Sequence, residues 1–181
     1  MNIPETYKSP AKKFRKYWEI YGGWTALIRS PYLHASILFS ILACPIWLDA
    51  KKDWTDIVMA VTPSILGFSL GGYAILFAFG DEKFRLAISG PDADGSPSPF
   101  MNVNASFVHF LVVNVLALLL AILARAWIKD GSCLMGLVFG VFSYSIFAAL
   151  ATVMSIFSVA SWSDAYAGKV KKDDAGKSPD S

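Results

Sequence analysis

Lys12, Lys13, Arg15 and Lys16 stand close together near the start of the chain, interleaved with Phe14, Tyr17 and Trp18. Clustered cations of this kind neutralise phosphates, and aromatic rings among them can stack on bases. The same residues suit anionic lipid headgroups, near which each basic residue contributes about 1 kcal/mol. Lys83 and Arg85 extend this basic rim later in the chain. Besides the bilayer, the rim can hold an anionic nucleotide or oligonucleotide, or a cytosolic partner protein. Asn114 is the clearest polar residue in an apolar run, set among Val, Leu and Ala. Buried polar groups are costly in hydrocarbon, so the helical face of Phe110, Asn114, Ala117, Ala121 and Arg125 must look towards protein or water. An interhelical hydrogen bond accounts for Asn114; a pore-lining or symmetry-axis asparagine is the sharper alternative.

His34 and His109 fall near the cytoplasmic ends of their apolar runs, where they can form a pH-sensitive or ligand-binding pair with Asp81 or Glu82 nearby. They lack metal-ligand spacing, so satisfied interface histidines are the simpler expectation and no metal site is assigned. Cys44 and Cys133 both fall near the opposite side; topology permits a disulfide, although free thiols are expected. Asn104-Ala105-Ser106 matches a glycosylation acceptor on the wrong side of the membrane for use. Asp92-x-Asp94 lacks the remaining ligands of a calcium loop. No phosphate-binding glycine loop, zinc-protease motif or Ser/His/Asp grouping occurs in the sequence, so no catalytic role and no cofactor is expected. No carboxylate lies within an apolar run, which disfavours a proton-driven carrier.

The elements that must position these residues are apolar. Of the 181 residues 55% are hydrophobic, and the mean hydropathy is +0.47. That composition excludes a disordered chain and predicts an all-α membrane protein. Four apolar runs, at 31–48, 57–80, 105–128 and 134–161, are each read as a transmembrane helix, since about 20 apolar residues cross a hydrocarbon core roughly 30 Å thick. Ser30-Pro31 suits the start of the first, and Pro45 is expected to kink or end it. The stretch 81–104 reads as a cytoplasmic loop broken by Gly and Pro, and 164–181 as a disordered cytoplasmic tail. All but Lys51, Lys52, Lys129 and Arg125 of the 16 Lys and Arg fall on one side, which predicts that both termini are cytoplasmic. Residues 1–30 form the basic, aromatic segment. Within them Phe14, Tyr17, Trp18, Tyr21, Trp24 and Ile28 share a helical face, as an amphipathic interfacial helix requires.

Two small-residue motifs stand out. Gly67-x-x-x-Gly71 lies in the second run, just after Pro63, and Gly136-x-x-x-Gly140 lies in the fourth. Such ridges let helix backbones approach closely, either within one bundle or between copies. Pro63 removes a backbone hydrogen bond and marks a candidate bend.

In size, four spans, basic cytoplasmic rim and the small-residue helix PSILGFSLGGYAILFAF, the chain resembles the small membrane proteins of bacterial anti-phage defence operons of the Hailong and Kiwa type. The resemblance is one of layout, and it transfers no individual site residue. It implies a homo-oligomer, with a tetramer as the expected form, acting in the inner membrane as a channel-like antiviral effector or as a sensor. In Hailong-type systems the membrane protein is gated by a cytosolic nucleic-acid-like signal. The expectation is therefore an oligomeric channel-like effector with Pro63, Gly67, Gly71, Asn114, Gly136 and Gly140 at the pore or interface. A non-conducting anchor that recruits a cytosolic partner is the alternative, and a carrier for a small neutral solute is a third reading.

Overall fold

Ser98 and Pro99 show how local chemistry starts a long helix here. The Met101 amide donates to Ser98 Oγ at 3.2 Å, and Pro99 occupies the first helical position, where its missing N–H costs nothing. The computed structural model describes residues 5–49, 53–78, 84, 86, 88–90, 95–127 and 132–175. Its named elements are all helices: α1 (Glu5–Tyr21), α2 (Gly23–Arg29), α3 (Pro31–Leu42), α4 (Cys44–Trp47), α5 (Thr55–Ala78), α6 (Pro99–Trp127) and α7 (Cys133–Ala175).

Three of these are long and apolar enough to cross a membrane, over Thr55–Ala74, Pro99–Trp127 and Cys133–Lys172. The expected first span at 31–48 is divided instead. α3 has 12 residues, about 18 Å of helix, which falls short of the hydrocarbon core. Ala43 interrupts it, and α4 resumes with Pro45 in its first turn, where proline cannot supply the bond back to α3. Gly22 (φ 98°) and Gly23 (φ 63°) make the turn between α1 and α2. A side chain there would meet left-handed backbone strain, and at Gly22 also the Ala26 methyl at 2.9 Å.

The helices pack in the order α5, α6, α7, α3, with α1 laid against α6. Small residues set this arrangement: Ala117, Ala121 and Ala124 on α6 are wholly buried and let the neighbouring backbones close in. At the α4 end, Ala43, Trp54, Val58, Ala121, Ala124, Met135, Val138 and Phe139 form one core, with Trp54 edge-on to Phe139 at 5.2 Å. Beside it, Arg125 on α6 bonds Asp56 on α5 and lies 3.7 Å from Asp53. At the opposite end Phe84, Val103 and Val159 form a smaller cluster with Ile88 and Tyr166. Past this cluster α7 continues to Ala175, where the sequence predicts a disordered tail from 164. Extending an existing helix needs no new nucleus, and the Tyr166 ring has Phe84 to pack on, 5.9 Å away.

Candidate functional site

α1 repeats aromatic residues about one helical turn apart, so Tyr17, Trp18 and Tyr21 reach the same neighbour, His109 of α6. The imidazole is buried and both its nitrogens are engaged. Nδ1 lies 3.0 Å from the Tyr17 hydroxyl, and Nε2 lies 2.9 Å from the Tyr144 hydroxyl of α7. A neutral imidazole has one N–H donor and one acceptor nitrogen, and a phenol can serve either, so both tautomers are satisfied. The Tyr21 ring stacks on the imidazole at 3.9 Å, nearly parallel, and its hydroxyl lies 3.4 Å from that of Tyr144. Burial, with Tyr21 adding to it, pushes the Tyr17 hydroxyl up to about 12, so it stays protonated and available as a donor. Three helices are thus joined at one hub. A cavity of about 440 Å³ opens beside it, with Tyr21, Arg29, Ser106, His109, Tyr144 and Ser155 in its wall.

The two glycine motifs have opposite fates. On α7, a Cβ at Gly136 would sit 2.8 Å from the Trp47 ring, and one at Gly140 would touch Ser40 Oγ at 3.9 Å. This motif seats α3 and α4 against α7. On α5, a Cβ at Gly67 or Gly71 would meet nothing within 4 Å, and Pro63 beside them is exposed. Phe68 is 86% exposed on the same helix. Only 11% of the α5 span is buried, against 44% for α6 and 39% for α7. α5 therefore runs unbroken through Pro63, with Gly67 and Gly71 unpartnered among the described residues.

Asn114 is wholly buried between helices of the single chain, where Nδ2 donates to the Phe110 carbonyl of its own helix at 3.0 Å. Its Oδ1 and the buried Thr62 hydroxyl have no hydrogen-bond partner among the described residues. Of the basic rim, Lys12, Lys13, Arg15 and Lys16 are exposed along α1, with Arg15 paired to Glu19 at 2.8 Å. Lys83 and Arg85 lie outside the described residues, as do Asp81 and Glu82. His34 is exposed and takes no part in the His109 hub. Cys44 and Cys133 are free thiols. No cluster of metal-ligating side chains occurs among the described residues.

Sequence reasoning located His109 as an interface histidine but missed its partners. The aromatic spacing of α1 was visible; Tyr144 was not, because it comes from a helix 35 residues further on. Arg29 was read only as one more topology-setting charge. Compared with protein-family models, curated proteins and solved structures, the chain matches none.

Proposed function

We propose that the chain is a homo-oligomeric, channel-like protein of a bacterial inner membrane, gated from the cytoplasmic side by an anionic ligand or partner. Opening would perturb the membrane potential, in the service of anti-phage defence if the layout resemblance extends to function. The unpartnered ridge of Gly67 and Gly71 on a span that is mostly exposed carries this reading. Small residues on a membrane helix serve close backbone approach, and among the described residues no other helix uses Gly67 or Gly71. A row of helices also needs further copies to close around an axis, a tetramer being the expected form. In this arrangement α3 and α4 together make the fourth crossing, α1 lies on the inner leaflet, and both termini are cytoplasmic. Pro63 and Gly67–Gly71 line the contact between copies. Gly136 and Gly140 act within each copy, and Asn114 stabilises the spans nearest the axis.

A potential-sensitive dye in cells tests this directly. Induction together with a cytosolic partner encoded in the same operon is expected to depolarise the membrane, and induction of the chain alone to do so less. The Gly67→Leu/Gly71→Leu variant is expected to reach the membrane at unchanged level and to lose most of the depolarisation. A flat trace with the protein present in the membrane favours the non-conducting anchor. One observation supports that second reading: α1 is tied to the core while Lys12, Lys13 and Lys16 remain exposed, as a docking helix for a cytosolic partner requires.

A further inference from the structure

We infer that the cavity beside His109 is a binding site for a phosphate-bearing anion, with Arg29 as its charge anchor. Arg29 ends α2, lines the cavity, and has no ion-pair partner among the described residues, unlike Arg15, which pairs with Glu19, and Arg125, which pairs with Asp53 and Asp56. A guanidinium at the edge of an apolar bundle favours an anionic partner, and its planar fork matches phosphate oxygens two at a time. The rest of the wall supplies neutral donors. Ser106, Ser155 and Ser158 each turn a hydroxyl to their own helix, bonding the carbonyls of Asn102, Ala151 and Met154 at 3.0–3.1 Å. Rotation about the C–O bond redirects each hydrogen into the cavity without moving the side chain.

The cavity's position also fits an amphiphile. Ser106 and His109 lie about two and three turns inside the Pro99 end of α6, so the site sits near the end of a span. It runs along α7 from Tyr144 to Ser158, with Ala148 and Ala151 flanking the serines. A headgroup phosphate at Arg29 can therefore be followed by glycerol and the start of an acyl chain. Free phosphate shares the headgroup chemistry and lacks the chain. The inference names the site and chemical class of the anionic ligand in the proposed gating, and it rests on that reading only for its consequence, because binding is measured without conductance.

Isothermal titration of the full chain in neutral maltoside micelles tests it, with dihexanoyl phosphatidic acid, dihexanoyl phosphatidylcholine and inorganic phosphate as probes. Phosphatidic acid is expected to bind once per chain, at least ten-fold tighter than phosphatidylcholine. Arg29→Gln should weaken it ten-fold or more, Arg29→Lys less, and Ser155→Ala/Ser158→Ala several-fold. Lys169→Gln/Lys171→Gln/Lys172→Gln, on exposed positions of α7 outside the cavity wall, should leave it unchanged. Phosphate binding as tightly as the lipid identifies a free anion as the ligand, and much weaker phosphate binding identifies a headgroup; both retain the site. Wild-type affinity in Arg29→Gln overturns the inference, as does an equal loss in the triple lysine variant or the absence of binding by either anion. Binding through Arg29 by a chain that never depolarises membranes would overturn the channel reading and leave this site standing.

Discussion

Gly136→Ala is expected to destabilise the chain by about 1–3 kcal/mol, the usual range for overpacking a tight contact. Gly67→Ala, the same chemical change on α5, is expected to be neutral or to stabilise the isolated chain by up to about 1 kcal/mol, because alanine is the better helix former. The difference comes from what the new methyl group meets. At Gly136 it would lie 2.8 and 2.9 Å from two carbons of the Trp47 ring. That ring cannot swing aside cheaply, since Trp47 Nε1 donates to the Ser40 carbonyl at 2.9 Å and the four-residue α4 holds its backbone. At Gly67 the methyl enters open space. Thermal unfolding in detergent separates the two: the Gly136→Ala midpoint should fall by several degrees, and the Gly67→Ala midpoint should hold or rise. Cross-linking in membranes should reverse the order. Gly67→Ala should lower the oligomer yield, whereas Gly136→Ala should retain it below its melting temperature. Equal midpoints for Gly136→Ala and the unaltered chain would mean that Trp47 does not pack on α7 as described.

The sequence pattern carried the long helices well and their partners poorly. Residues 57–80 hold no charge and 105–128 only Arg125, so both read as spans, and α5 and α6 cover them to within a few residues. α6 starts earlier, at Pro99, because Ser98 caps it inside a stretch whose Gly and Pro content reads as loop. Most of the inward face of α6 was legible from its period: Phe110, Asn114, Ala117 and Ala121 are buried, whereas Arg125 of the same expected face is exposed and pairs with Asp56. The break in the first apolar run was half legible. Pro45 signalled a kink, but hydropathy averages over the interruption at Ala43 and returns one span where the backbone makes two helices.

The two glycine motifs expose the limit more sharply. Gly67-x-x-x-Gly71 and Gly136-x-x-x-Gly140 are equivalent as text, and their fates depend on Trp47 and Ser40, far away in the chain. The His109 hub has the same character. Its three tyrosines arrive from α1 and α7, across sequence separations of up to 92 residues, and periodicity within one helix holds no record of such pairings. Arg29 shows a related failure. Counting charges for topology treats every cation alike, whereas a cavity wall without a carboxylate partner distinguishes this one from Arg15 and Arg125.

His109→Ala should release α1 from the bundle, and comparison with His109→Phe decides which force holds it. Removing the ring leaves a cavity among Tyr17, Tyr21 and Tyr144, and strands two tyrosine hydroxyls that met its nitrogens at 3.0 and 2.9 Å. Truncating a buried ring to alanine costs about 3–5 kcal/mol. Phenylalanine keeps the stack on Tyr21 and loses only the two hydrogen bonds, each averaging about 0.6 kcal/mol between membrane helices. His109→Phe should therefore cost about 1–2 kcal/mol, and His109→Ala clearly more, so ring packing outweighs hydrogen bonding at the hub. Trypsin reads the outcome locally, because Lys12, Lys13, Arg15 and Lys16 line α1. Protease-treated membranes should show cleavage at these sites rising strongly for His109→Ala and modestly for His109→Phe, while the fragment containing α6 and α7 persists. Equal cleavage in both variants would place the restraint in the hydrogen bonds instead. Unchanged cleavage in both would mean that α1 is held by Phe14 and Trp18 against other surfaces and that the hub does not fasten it.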